Sequence, residues 1–444
     1  MAARSKAILN QIYHAAIRAV RPSTLLSKKL RISDSTLFVE SKPGRLRLAL
    51  TGQVYVIGAG KGVDLTAPLW QALFGDRLEG GMLLSRELSF KDRLVRIAVA
   101  AGGHPLPDER SLAGTERCIR LLRATRRNDW VIFFLMGGAS SLLAKPAPGL
   151  SLEDKRAVGG LLLKSGMAIS EMNCIRKHLS CVKAGGILRH AYPARALTLA
   201  ISDVIGDDPT VIGSAPTFHD PTTFRDAWGL LARYRLLNRI PKRVRDYLLT
   251  GLRGKVPETL KPGSTITAQS PFVLLANNSD ALAAAREKAE SLGFAATILT
   301  KELCGDTAIR AKELCSFLKQ LKRGNRKYRR PHCFLLGGET TVRVRGKGIG
   351  GRNQEFALAS ALELKGMNGL YMLSAGTDGS DGPTSAAGAY ADGRTISKAR
   401  ALGLDPQQAL RDNDSYNFFN RLEELYTPGP TGTNVLDIKI ALLY

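Results

Sequence analysis

Short apolar runs of strand length alternate with stretches of helical period along almost the whole chain. Apolar runs at Gln53–Ile57, Gly81–Leu84, Leu94–Ala100, Trp130–Met136, Ala196–Ser202, Phe272–Ala276, Ala295–Leu299, Cys333–Leu336 and Leu370–Ser374 predict strands. Between them the spacing predicts helices over Val63–Phe74, Ser111–Thr125, Leu152–Ser165, Val182–His190, Asp280–Leu292, Asp306–Lys322 and Asn353–Leu364. Strand, crossover helix, strand is the signature of mainly parallel sheets, so the expected class is α/β. Ligands of such sheets lie beyond the carboxyl ends of the strands. The residues just after each strand are therefore where chemistry is to be sought.

A polar break with weak periodicity, Asn238 to Thr265, carries Pro241, Pro257 and Pro262. A chain of 444 residues exceeds one ordinary core. Two domains are expected, 1–240 and 241–444, with the boundary at the start of the break. At the N-terminus, seven Lys and Arg precede the first acid, Asp34. A transit peptide is one reading. The favoured one is a folded amphipathic helix, because Ile8, Ile12, Ala15 and Val20 fall close to helical period.

Composition narrows the class. The chain is 44% hydrophobic and 23% charged, as a globular protein is. No run of about 18 apolar residues is present, so no membrane span is expected. Its six cysteines form no C-x-x-C pair and no zinc-like set with the six histidines. They read as reduced, mostly buried thiols of a cytoplasmic protein. The net charge of +25 is densest at Lys319 to Arg330, with seven basic residues and no acid. Nucleic-acid binding is one reading of that charge. A basic solvated surface that attracts anionic substrates is favoured, because no RNP, zinc-finger or helix-turn-helix pattern accompanies it.

Candidate chemistry sits after the strands. In "VYVIGAGKGVD" (Val54 to Asp64) a strand enters a glycine turn with Gly58, Gly60 and Gly62 alternating around Lys61. The spacing fits neither G-x-x-x-x-G-K-[ST] nor G-x-G-x-x-G. What remains is a turn that presents an ammonium to a phosphate or carboxylate. Two later strands end alike, in Gly-Gly-Ala-Ser-Ser (Gly137 to Ser141) and Gly-Gly-Glu-Thr-Thr (Gly337 to Thr341). Backbone N–H groups and hydroxyls there, at Gly138, Ser140, Ser141, Gly338, Thr340 and Thr341, can hold anionic oxygens; two ordinary turns are the competing reading. At helical spacing Arg176, Ser180 and Lys183 share a face suited to an anion, or simply to solvent. "GGHPLPDERS" (Gly102 to Ser111) reads as a rigid loop whose His104 is undecided. Asp203, Asp207, Asp208 and Asp378 follow strands and suit Mg2+ held through waters, or turn capping. Asp381 belongs to the same pattern. "GGRNQEFALASAL" starts a helix with Arg352 behind two glycines. Fixed cations, glycine–hydroxyl loops and carboxylates are together what phosphoryl transfer needs. No nucleophile–base motif of the G-x-S-x-G kind is present.

The strings "GGHPLPD", "RKHLS", "SDVIGDDP", "GGETTV", "GGRNQEFALA", "GTDGSDGPT" and "GPTGTN" strongly resemble those of class II glycerate kinases. The likeness runs nearly end to end. It implies a Rossmann-like N-terminal domain and a smaller α/β MOFRL-type domain, core about 330–440, with the active site in the cleft between them. It also implies ATP- and Mg2+-dependent phosphorylation of D-glycerate, mostly at the 2-hydroxyl. Lys61 and Arg352 match the family's catalytic lysine and arginine. Gly138, Ser140, Ser141 and Arg176 are then expected to bind substrate. Gly58, Gly60, Gly338, Thr340 and Thr341 are expected on ATP phosphate, and Asp203, Asp207, Asp208 and Asp378 on the metal. Departures from the family pattern include Ala139, Ala215, Gly62 and Ser385. Members of this family are sometimes labelled hydroxypyruvate reductase. That NAD(P)H-dependent alternative needs a nicotinamide site, which the broken glycine pattern argues against. The expected partner is a small-molecule substrate, with no nucleic acid and no membrane, in a possible homo-oligomer.

Overall fold

In a computed structural model the described residues are 2–41, 44–89, 95–324 and 331–444. Leu94, where one predicted strand begins, and residues 325–330 of the basic run lie outside them. The chain divides into two compact units, Leu25–Leu275 and the pair of segments Met1–Thr24 and Ala276–Tyr444. This differs from the expected boundary at 240. The segment 241–275 supplies two helices and a strand to the first unit, and the N-terminal helix Ala2–Val20 packs on the helix Asn278–Ser291 of the second.

The first unit opens with an antiparallel meander, β1 (Leu30–Ser33), β2 (Thr36–Ser41) and β3 (Gly44–Ala49). None of these strands was predicted, because each is short and partly solvated. A two-residue turn joins β1 to β2, with Asp34 and Ser35 both at positive φ, 49° and 60°. The main sheet follows: β4 (Val54–Ala59), β5 (Leu78–Ser85), β6 (Ile97–Ala101), β7 (Trp130–Leu135), β8 (Arg195–Ile201) and β9 (Phe272–Ala276). Its order is β6-β5-β4-β7-β8-β9, and every pairing from β6 to β8 is parallel. This is the doubly wound order, with its reversal between β4 and β7. Strands covered on both faces read as unbroken apolar runs, and β4 and β7 are buried at every residue. A separate helical core gathers Val158, Leu162, Ile175, Phe224, Leu231, Val244 and Leu248. It anchors the helices Leu152–Leu163 and Ile169–His178.

The second unit holds β10 (Ala295–Leu303), β11 (His332–Gly338), β12 (Leu370–Gly376), β13 (Gly388–Asp392), β14 (Leu425–Tyr426) and β15 (Asp437–Leu443). The order is β10-β11-β15-β12-β13-β14. Only β10 and β11 run parallel; β15 lies antiparallel between β11 and β12, and β13 and β14 extend the antiparallel part. The parallel expectation thus applies to the first unit's sheet and not to this one. In register, Asp437 stands opposite both Gly338 and Gly376. That pairing brings the start of β15 level with the ends of two strands that lead into polar loops.

Candidate active site

In the first unit the parallel register aligns Ala59 with Leu84 and Leu135, so the turns after β4 and β7 emerge side by side at the strand-order reversal. The N–H of Lys61 donates to Gly137 O at 2.9 Å and that of Gly60 to Leu84 O at 3.1 Å. The N–H of Gly62 donates to Ser85 Oγ at 3.1 Å. These bonds spend the turn's own donors inside the fold. The glycines of this turn, expected on phosphate, pack tightly here. Their role is close approach: a Cβ at Gly60, which sits at φ 150°, would lie 2.5 Å from Met136 Cβ, and one at Gly58 would lie 2.6 Å from Leu83 Cδ2. The chemistry of the turn resides in the Lys61 side chain.

Gly138 caps the short helix Ala139–Leu142 at φ 92°. A Cβ there would come within 3.0 Å of His104 Cδ2 and 3.5 Å of Lys61 Cγ. Lys61, His104 and the loop after β7 therefore share one small space. Ser140 and Ser141 follow on the same turn. Ser140 Oγ lies 2.8 Å from Ser214 Oγ, and Ser141 Oγ donates to Pro105 O at 2.6 Å. Lys183 Nζ donates to both Ser140 O and Ser140 Oγ at 2.7 Å. The loop after β8 comes to the same place, since Ala184 N donates to Ser214 O and Gly185 N to Ala215 O.

Arg176 and Lys183 do come near each other, but not as one helical face. The helix ends at His178, and Lys183 projects from the turn that follows. Burial holds Lys183 well below the ordinary lysine range, and the charges of Lys155, Arg176 and Lys177 push the same way. Burial also lowers Arg176. Lys177 is paired with the fully buried Asp220 at 3.4 Å. Lys155 is different: its buried Nζ has no hydrogen-bond partner.

In the second unit Arg352 opens the helix Arg352–Leu364. Its guanidinium is held by Asp437 and, through Nη1, by Glu339 Oε1 at 2.6 Å. Lys439 Nζ reaches the same Asp437 carboxylate at 3.0 Å, and both residues are fully buried. Burial alone would lower Arg352, but the carboxylates of Asp437 and Glu339 raise it above its ordinary value. Burial pushes Asp437 up, and Lys439 and Arg352 outweigh it, leaving the carboxyl at about 2. Asp381 receives the helix start, accepting from Asn353 N at 3.1 Å and Gln354 N at 2.8 Å. Burial raises it to about 6 against these bonds.

Other expected positions serve the fold visibly. Thr340 is buried and accepts from Thr307 Oγ1 at 2.9 Å, while Thr341 Oγ1 donates to Gly305 O at 3.2 Å. Gly338, at φ 131°, lets Leu303 pass where a Cβ would lie 2.3 Å from its N. Asp208 caps its own turn by accepting from Thr210 N at 2.8 Å, and Asp378 does the same for Ser380 N at 3.0 Å. Asp203, Asp207 and Asp208 share the loop after β8, whereas Asp378 belongs to the second unit. Among the described residues no group of three or more His, Cys, Asp and Glu is gathered to hold a metal ion.

Sequence reasoning missed Asp437, Lys439, Glu339 and Lys155 as parts of these clusters. A signal existed for the first two, because an acid and a lysine interrupt the apolar run "LDIKIALL". Lys155 carried none: a lysine in the first turn of a helix reads as solvated.

Residues 8–249 match a family described as "Domain of unknown function (DUF4147)", and residues 332–437 match the MOFRL family. The chain is 38% identical to "Glycerate 2-kinase" of Pyrococcus horikoshii, over 96% of this chain and 95% of that one. It is 37% identical to "D-glycerate 2-kinase" of Thermotoga maritima, over 88% and 91%. A crystal structure of glycerate kinase from Thermotoga maritima superposes with a TM-score of 0.85 at 34% identity, covering 99% of this chain and 100% of that one. The chain belongs to the glycerate kinase family whose members join a DUF4147 segment to a MOFRL segment.

Proposed function

We propose that the protein transfers the γ-phosphoryl group of ATP to the 2-hydroxyl of D-glycerate, giving 2-phosphoglycerate and ADP. The observation that carries this reading is the placement of Lys61, beside His104 and the Gly138 loop, at the strand-order reversal of a doubly wound sheet. That position is where such sheets bind their ligands. Phosphoryl transfer asks a protein for positioning and for neutralisation of the moving group, not for covalent chemistry. Lys61 supplies one positive charge. Arg352 supplies a second, with its guanidinium oriented by the two-pronged grip of Asp437. The hydroxyls of Ser140 and Ser141 and the guanidinium of Arg176 orient the hydroxy acid.

Magnesium fits as an ion that arrives with the nucleotide. Mg2+ in such reactions is held by one or two carboxylates plus substrate phosphates, and single carboxylates such as Asp203 or Asp378 suffice for that. Bound there, the ion would offset negative charge on the nucleotide phosphates.

The test is an assay with D-glycerate, ATP and Mg2+ in which product is passed directly to enolase. Signal without a mutase is the expected result. Product that reaches enolase only after a mutase is added would mean 3-phosphorylation. NADH oxidation with hydroxypyruvate by the pure protein would instead support the reductase reading. No observation in the glycine turn favours that reading, since its donors are spent and a lysine occupies its centre.

A further inference from the structure

Lys155 is the fourth residue of its helix, after the Ser151 cap, where the positive end of the helix dipole makes an ammonium unfavourable. Its Nζ is buried without a hydrogen-bond partner. The Cys181 thiol and the Arg176 guanidinium act on it electrostatically. Lys183 stands in the same field, and so does Lys177, whose charge Asp220 already answers. Burying ammonium and guanidinium groups together without a carboxylate in ion-pair range costs stability, and among the described residues none pairs with Lys155, Arg176 or Lys183. Within this field Lys183 is bonded directly to Ser140 Oγ, which lies 2.8 Å from Ser214 Oγ. Cations gathered without counter-charge beside hydroxyls make a receptor for a small oxyanion.

We propose that Lys155, with Arg176 and Lys183, receives the carboxylate of the hydroxy-acid substrate. This rests on the kinase reading above and extends it to the group that distinguishes glycerate from an uncharged polyol. A buried ammonium suits a compact carboxylate better than a nucleotide, whose phosphates carry a bulky base. Burial lowers the Lys155 ammonium to about 8, with Arg176 pushing the same way against Cys181. A bound carboxylate restores the missing counter-charge and keeps the proton on.

The test uses the full chain and Lys155→Met, read by steady-state kinetics and by the thermal shift each ligand produces. In Lys155→Met the KM for D-glycerate is expected to rise about 10- to 100-fold, the size of one lost charge-assisted hydrogen bond. The kcat and the KM for ATP should change by less than about threefold, because the interaction is equal in ground and transition states. The melting temperature of the variant without ligand should be unchanged or higher, since an unpaired buried charge has been removed. D-glycerate should raise the melting temperature of the wild type and not of the variant, whereas glycerol, which lacks the carboxylate, should act on both alike. An unchanged glycerate KM and thermal shift would overturn the proposal, as would a rise confined to the KM for ATP. If the wild type shows no kinase activity but its glycerate-induced shift still depends on Lys155, the proposed reaction fails and the carboxylate site stands.

Discussion

The guanidinium of Arg352 lies flat on the carboxylate of Asp437, Nε 2.7 Å from Oδ2 and Nη2 2.9 Å from Oδ1. Lys439 approaches the same carboxylate from within the sheet. One buried anion thus balances two cations. Asp437→Ala leaves Lys439 without its carboxylate and Arg352 with Glu339 alone, and is expected to cost roughly 3–5 kcal/mol of stability. Urea unfolding followed by circular dichroism measures this. A midpoint equal to that of the wild type would show that the triad does not stabilise the fold.

Acid has two opposing effects on this cluster. Asp437, held at about 2, contributes stability that is present above the unfolded carboxyl pKa and is lost as pH falls from about 4 towards 2. Asp381, raised to about 6, works the other way: its contribution is complete below about 4 and is lost as pH rises through 6. In Asp381→Asn the fall in stability between about pH 4 and 6 should flatten, by on the order of 1–3 kcal/mol. Chemical denaturation at a series of pH values reads the slope directly, and an unaltered slope would assign it to other groups.

Lys61→Ala should lower kcat by about 10²- to 10³-fold, as expected for losing one charge that stabilises the transferred group. The melting temperature should barely move, because the turn's shape rests on backbone bonds and on glycine packing. Full activity in the enolase-coupled assay would remove Lys61 from the mechanism.

Gly138→Ala tests the shared space between the turns. The new methyl meets the His104 ring and the Lys61 stem, at a φ that alanine adopts only with strain. The backbone strain should cost about 1–2 kcal/mol, and displacement of Lys61 by a fraction of an ångström should lower kcat about 10- to 100-fold. Loss of stability without loss of activity would separate the loop from the reaction.

Much of the first unit was legible because parallel strands covered on both faces leave unbroken apolar runs such as "VIFFLM". Crossover helices between them have clear period. The β1–β3 meander was not legible: its turn uses Asp34 and Ser35 where glycine or asparagine would have signalled a hairpin, and much of it faces solvent. In the second unit β15 was missed as a strand, since two charged residues interrupt its apolar pattern. Those charges are the informative residues. Lys61, Ser140, Arg176 and Arg352 could be picked out because each follows a glycine pair or lies in a distinctive string. Asp437 and Lys155 could not be assigned partners. One acquires its meaning from strand register with residues far away in sequence, the other from packing that seals its ammonium. The glycines of the first turn were seen, but not the close packing they permit against Met136 and Leu83.

The place of β15 has a consequence for how the molecule is made. The helix Ala2–Val20 belongs with it, and Thr433 Oγ1, just before β15, donates to Val20 O at 2.8 Å. More than four hundred residues separate that helix from β15. At roughly 5–20 residues per second, the helix leaves the ribosome about 20 to 80 seconds before the strand that completes its unit. Meanwhile the intervening unit can fold on its own, and β11 and β12 emerge with the edges that β15 will cover still open. The second unit is closed by a strand made long after its first helix, so a chain stalled or cut before Asp437 leaves an amphipathic helix and two open strand edges to aggregate or to be recognised by a chaperone.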